Sequence, residues 1–223
     1  MPLRAVLFDL DGTLIDTVAD IALALKRTFA ERGIEPLEVA AVRPLVGRGA
    51  AQLIARALEA RGRAADEPHV TALFARFMHH YAELLAREES SAAAYPGALE
   101  ALRDLGAAGA QLAVVTNKAQ RLAQDTLHRT GLQAHLRVVI GGDSCARRKP
   151  HPEPLLHACR QLGVAATAAL MVGDSVNDVL AARAAGIPVL CVPYGYNEGV
   201  DARTLRCDGF VEHLAQLPKL LRR

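Results

Sequence analysis

Short apolar runs that stop at a polar or glycine-bearing turn recur along this chain. Ala5-Val6-Leu7-Phe8 stops at Asp9, Leu112-Ala113-Val114-Val115 at Thr116-Asn117, and Val138-Val139-Ile140 at Gly141-Gly142-Asp143. Ala169-Leu170-Met171-Val172 stops at Gly173-Asp174, and Val189-Leu190-Cys191-Val192 at Pro193. Runs of this length without polar alternation predict strands buried on both faces. Between most of them the apolar positions change to helical spacing: Leu99, Leu102 and Leu105 before Gly106, Leu155, Leu156, Cys159 and Leu162 before Gly163, and Val179, Leu180, Ala182 and Ala185 before Gly186. Alternating strands and helices predict a parallel sheet covered by helices on both faces.

Residues 17–90 break that rhythm. Val18, Ile21, Ala22, Leu25 and Phe29 predict one amphipathic helix; Leu53, Ile54, Ala57 and Leu58 a second; Val70 to Leu85 a third, long one. A helical insert after the first strand implies two domains: an α/β core over 1–16 and 91–223, and an all-helical domain over 17–90. The polar and small stretch from Arg87 to Ala94, before Tyr95-Pro96-Gly97, reads as a linker back to the sheet.

Hydrophobic residues make up 51% of the 223, enough for a packed core, and with aromatics at 4% and no Trp that core must be Ala, Leu and Val. A net charge of +2 gives no general attraction for nucleic acid or anionic membrane, so neither is an expected partner. Basic charge is concentrated only locally, as at Arg147-Arg148-Lys149. None of the 4 cysteines sits in a C-x-x-C pair, and no apolar run reaches the roughly 20 residues of a membrane span. Met1-Pro2-Leu3-Arg4 leads straight into the first strand, without a signal peptide. The expectation is a cytoplasmic protein with free thiols, either a monomer or a homodimer.

Polar groups gather where the strands end. Ligands of an open α/β sheet bind at its carboxyl edge, and that edge receives Asp9 and Asp11, Thr116 and Asn117, Asp174 and Asp178, with Lys149 following the Ile140 run after a short loop. Clustered carboxylates repel one another and repel a phosphate. A hard cation such as Mg²⁺ resolves both conflicts by binding oxygens of each. Lys149 would add a positive charge, Thr116 and Asn117 hydrogen bonds, and a carboxylate can attack phosphorus to form an acyl-phosphate. The predicted partner is a small phosphorylated metabolite.

These residues resemble a known family. Phe8-Asp9-Leu10-Asp11-Gly12-Thr13-Leu14 is similar to the first motif of the haloacid dehalogenase-like hydrolases, Val115-Thr116-Asn117-Lys118 to the second, Lys149-Pro150 to the third, and Val172-Gly173-Asp174-Ser175-Val176-Asn177-Asp178 to the fourth. The resemblance implies a Rossmann-like parallel sheet core with an inserted helical cap. It implies Asp9 as nucleophile and metal ligand, Asp11 as proton donor and, through its backbone carbonyl, metal ligand, and Asp174 as the third ligand. Asp178 would hold a metal-bound water or orient Lys149, while Thr116, the Asn117 backbone and Lys149 bind the phosphoryl group.

Each residue also has a plainer reading. Asp-Gly favours turns, Thr116-Asn117 could cap the next helix, Asp16 could cap the first cap helix, and Lys149 could be a surface lysine beside two arginines. Within the cap, Gly47-Arg48-Gly49 resembles the specificity loop of phosphoglycolate phosphatases. Arg48 could pair with a substrate carboxylate, or stand exposed before a helix. With Tyr194-Gly195-Tyr196-Asn197 this loop favours 2-phosphoglycolate as substrate. Sugar phosphates such as N-acetylmuramic acid 6-phosphate, nucleotides, pyrophosphate, a β-phosphoglucomutase-like transfer and a non-catalytic binding role are the alternatives. Asp11 argues against a dehalogenase, and Thr13 against a mutase.

Overall fold

The computed structural model describes residues 3–87 and 89–220. Its centre is a six-stranded parallel sheet of β1 (Ala5–Phe8), β4 (Gln111–Val115), β5 (Val138–Ile140), β6 (Ala169–Gly173), β7 (Val189–Cys191) and β8 (Gly209–Phe210), in the order β5-β4-β1-β6-β7-β8. The chain builds outward from β1 through β4 to β5, then crosses back to place β6 on the other side of β1. That reversal opens a crevice at the carboxyl end of β1, where such sheets bind ligands.

Strand alternation explains why the runs are apolar throughout. Val6, Phe8, Leu112, Val114, Leu170 and Val172 pack on one face of the sheet, with α5 (Ala98–Ala107), α6 (Gln120–Arg129) and α9 (Leu217–Leu220). Ala5, Leu7, Ala113, Val115, Met171 and Val189 pack on the other, with α7 (Glu153–Leu162) and α8 (Val176–Ala185). Both faces are buried, so period-two polarity has no place. A fully buried Leu, Val or Phe here contributes about 1.5–3 kcal/mol.

Between β2 (Ile15–Asp16) and β3 (Ala93–Ala94) lie α1 (Val18–Ala30), the short α2 (Val39–Val42), α3 (Ala50–Ala60) and α4 (Glu67–Ala86). They bury a core of their own around Ile21, Leu25, Phe29, Ile54, Leu58 and Leu84, which Leu122 and Tyr196 join from outside the segment. Asp66 begins α4 by accepting a hydrogen bond from the His69 backbone N–H at 3.1 Å, with Pro68 in the first turn.

The stretch from Arg87 onward, read as a linker, is bonded where it is described. β2 and β3 pair antiparallel, Ile15 with Ala94 and Asp16 with Ala93. Buried Asp20 accepts from Ser90 Oγ at 2.5 Å and from Ser91 N at 2.8 Å, fastening the start of α1 to the returning chain. Two adjacent crossings therefore join the helices to the sheet. No helix among the described residues is long and apolar enough to cross a membrane.

Candidate active site

Four of the residues expected at the sheet edge meet directly. Asp9, one residue beyond β1, is buried, and its Oδ1 accepts from Lys149 Nζ at 2.8 Å. The same ammonium donates to Asp178 Oδ1 at 2.7 Å and to the Val115 carbonyl at 2.6 Å. All three N–H bonds of Lys149 are thereby engaged. Asp178 Oδ2 accepts from Ser175 Oγ at 2.7 Å and from the backbone N–H groups of Ser175 and Asp174, closing a capping box on α8. Both Asp178 oxygens are thereby engaged, one of them with Lys149.

Asp174 stands at the end of β6. Its Oδ2 accepts from the Tyr196 backbone N–H at 2.6 Å, and its Oδ1 from Thr13 Oγ1 at 3.3 Å. Two glycines make room for it. A Cβ on Gly12, whose φ is +90°, would stand 2.6 Å from Asp174 Oδ2, and one on Gly195 would collide with the Asp174 side chain. Carboxylate oxygens of Asp9, Asp174 and Asp178 lie within 4.8 Å of one another. Burial, reinforced by the neighbouring carboxylates, pushes Asp9 up to about 7 and Asp174 to about 8. For Lys149, burial disfavours the charge, but Asp178 and Asp9 outweigh it and hold the ammonium above its ordinary value. Such crowding of negative charge in an all-oxygen donor set fits a hard divalent cation.

Asp11 has its own partners, apart from this cluster. Its Oδ1 accepts from Thr17 Oγ1 at 2.6 Å and Lys118 Nζ at 3.1 Å. A cavity of about 60 Å³ separates the sheet edge from the helices, and Asp9, Asp11, Thr116, Asn117, Lys118 and Tyr81 supply its polar wall. Thr116 and Asn117 do not cap α6: its N-cap is Ala119, and the Gln120 N–H is taken by Asp143 Oδ1 at 2.7 Å. Asn117 instead donates from Nδ2 to the Gly47 carbonyl at 2.9 Å and the Lys149 carbonyl at 3.0 Å, tying the Gly47-Arg48-Gly49 loop to Lys149. Asp16 accepts from Val18 N at 3.3 Å at the start of α1 and from Tyr196 OH at 2.7 Å.

Arg48 is placed apart from these residues. Gly47 and Gly49 line the cavity, but the Arg48 side chain turns away, 53% exposed, with Nε donating to Glu198 Oε1 at 2.8 Å. Glu198 also receives Asn177 Nδ2 at 3.1 Å, from a backbone with φ of +51°. Three participants lay outside the sequence reading as site residues: Lys118, Tyr81 and Glu198. Lys118 follows Thr116-Asn117 directly, but its burial is invisible in sequence. Tyr81 looked like one apolar position in a helical stripe.

Residues 6–192 match the family described as haloacid dehalogenase-like hydrolase. Among curated proteins, the chain is 41% identical to the phosphoglycolate phosphatase of Nitrosospira multiformis, with 100% of this chain and 97% of the relative covered. It is 44% identical to the plasmid-borne phosphoglycolate phosphatase of Cupriavidus necator, over 99% of this chain and 94% of the relative. Among solved structures, one described as a predicted phosphoglycolate phosphatase from Haemophilus somnus superimposes with a TM-score of 0.88 at 29% identity, covering 98% of this chain and 97% of that one. CbbY from Rhodobacter sphaeroides, in complex with phosphate, gives 0.81 at 25% identity, with 96% of each chain covered. Matched along nearly its whole length, and carrying the family's four motifs at one sheet edge, the chain belongs to the haloacid dehalogenase-like hydrolases and, among them, to the phosphatases.

Proposed function

We propose that this phosphatase hydrolyses 2-phosphoglycolate to glycolate and orthophosphate through an aspartyl-phosphate on Asp9. The observation that carries the reading is the arrangement around Asp9: a buried carboxylate fixed by Lys149 on one side, facing a cavity shared with Asp11 on the other. An Asp9 oxygen attacks phosphorus, the bond to the glycolate oxygen breaks, and that oxygen takes a proton from the Asp11 carboxyl. Water then attacks the aspartyl-phosphate while Asp11 accepts its proton, releasing orthophosphate and restoring Asp9. Thr116, the Asn117 backbone and Lys149 hold the phosphoryl oxygens. Lys149 also offsets the charge of Asp9, and Asp178 keeps its ammonium aimed at the reacting centre.

Mg²⁺ would be held by the carboxylates of Asp9 and Asp174 and the backbone carbonyl of Asp11. When bound it supplies positive charge that keeps Asp9 ionised and draws off charge from the phosphoryl oxygens. Residues 17–90 act as a cap over a core of 1–16 and 91–223, with the β2–β3 pair at the hinge, and exclude water while the phosphoryl group moves. The substrate preference rests on the phosphoglycolate phosphatase relatives and on a small, partly apolar cavity that suits a small leaving group better than a sugar or nucleoside.

Phosphate release from 2-phosphoglycolate, N-acetylmuramic acid 6-phosphate, a nucleotide and pyrophosphate, each with Mg²⁺ and with EDTA, tests the reading. The expected result is highest kcat/KM for 2-phosphoglycolate and none of the activity in EDTA. Placement of 2-phosphoglycolate among the poorest substrates overturns the substrate, and activity that survives chelation overturns the metal.

A further inference from the structure

We infer that Lys118, supported by Tyr81, receives the carboxylate of the substrate and thereby selects carboxylate-bearing phosphate esters. The inference rests on the substrate reading above and names the residue that enforces it. Three donors sit on an ammonium. Lys149 has engaged all of its own, with Asp9, Asp178 and the Val115 carbonyl. Lys118 has engaged two, with Asp11 Oδ1 at 3.1 Å and Tyr81 OH at 2.6 Å, and among the described residues no acceptor takes the third. Its side chain is only 5% exposed, so bulk water is a poor substitute.

Position supports the same role. Lys118 lines the cavity that Asp9 and Asp11 also line, so its charge faces the leaving-group side of the reacting centre. The Tyr81 ring lies 4.2 Å from Nζ, centroid to nitrogen, and fixes the ammonium from one side. Burial keeps the Tyr81 hydroxyl protonated, so it adds no competing negative charge.

Among the described residues, no other lysine or arginine lines the cavity. Arg48 is bound to Glu198 outside it. Arg43 donates to the Tyr194 and Gly195 carbonyls. The apolar side chains of the lining include Ile21, Val46, Leu53, Phe77, Met78 and Leu122, which offer nothing to the hydroxyls of a sugar. One anionic group beside a short carbon chain is what this wall accommodates.

The test compares kcat/KM for 2-phosphoglycolate with that for 2-hydroxyethyl phosphate, which replaces the carboxylate by a hydroxymethyl group. The wild-type enzyme should prefer 2-phosphoglycolate, and Lys118→Met should lower that preference about ten- to a hundredfold, as expected for loss of a charge-assisted hydrogen bond. Lys118→Arg should retain part of the preference, and supplies the comparison if the methionine variant does not fold. Arg48→Gln should move the ratio less than about threefold, as for an exposed ion pair. Equal losses on both esters in either Lys118 variant would mean that Lys118 acts only through Asp11, and would overturn the inference while leaving the substrate reading intact. Collapse of the ratio in Arg48→Gln would transfer the role to Arg48 and also overturn it. A wild-type enzyme indifferent to the carboxylate would overturn the substrate reading, and this inference with it.

Discussion

Replacing Lys149 by methionine keeps the length of the side chain and removes the one ammonium that lies between Asp9 and Asp178. The site is buried: the Lys149 side chain is 2% exposed, that of Asp178 0% and that of Asp9 12%. Removing one partner of a buried ion pair costs about 3–5 kcal/mol, because the charge left behind has neither water nor counter-ion. For a chain of this length that is a fall in Tm of roughly 6–20 °C. The pH dependence separates this cause from simple loss of packing. In the wild-type protein Asp9 is raised from 3.8 to about 7 and Asp174 to about 8, so between pH 4 and 8 the folded state binds more protons than the unfolded state. Stability from these groups is therefore fully present at acid pH and lost as pH rises through that window, by on the order of 4 kcal/mol for Asp9 alone. Lys149 remains charged throughout, since its folded value lies above the ordinary lysine value. Without it the carboxylates rise further, and the loss on going from pH 5 to 8 steepens. Thermal unfolding in EDTA at both pH values measures this. The variant should lose several degrees more at pH 8 than at pH 5, and millimolar Mg²⁺ should recover part of the difference at pH 8. Equal losses at both pH values would refute the electrostatic account and leave only packing.

The sheet and its edge were legible because their signals are local. Each core strand is an apolar run, and each run stops at the side chain that the edge displays, so Asp9, Thr116 and Asp174 could be placed from sequence alone. β2, β3 and β8 have two residues each, too few for any period to register. α6 is expected only as the helix after Thr116-Asn117, without an apolar stripe to bound it, because its buried positions are Leu122, Ala123, Thr126 and Leu127 and the rest is polar. The roles of Lys118 and Arg48 depend on partners far away in the chain. Tyr81 is 37 residues from Lys118, and Glu198 is 150 from Arg48. Sequence singles out Arg48 for a substrate carboxylate through the resemblance of its loop, and gives Lys118 no role. Only packing of Tyr81 of α4 against Lys118, and of Glu198 against Arg48, decides which one faces the cavity.

Three further outcomes follow from the same geometry. Asp9→Asn should reduce phosphate release by at least about a thousandfold while leaving the fold intact by circular dichroism, because the amide cannot form the acyl-phosphate. Gly195→Ala should drive a methyl into Asp174 and raise the Mg²⁺ concentration for half-maximal activity about ten- to a hundredfold, as for disturbed metal surroundings; an unchanged Mg²⁺ requirement would remove Asp174 from the metal site. The last concerns Glu198, whose φ of +51° is a left-handed conformation that non-glycine residues adopt at a cost. Its ion pairs with Arg48 and Arg56 involve partners 53% and 29% exposed, and exposed pairs contribute about 1 kcal/mol or less. Glu198→Ala loses the pairs and keeps the strained backbone, whereas Glu198→Gly loses the pairs and relieves it. The glycine variant should therefore melt roughly 2–4 °C above the alanine variant, the equivalent of about 1 kcal/mol. Equal melting temperatures would show that the alanine variant carries no backbone strain at this position.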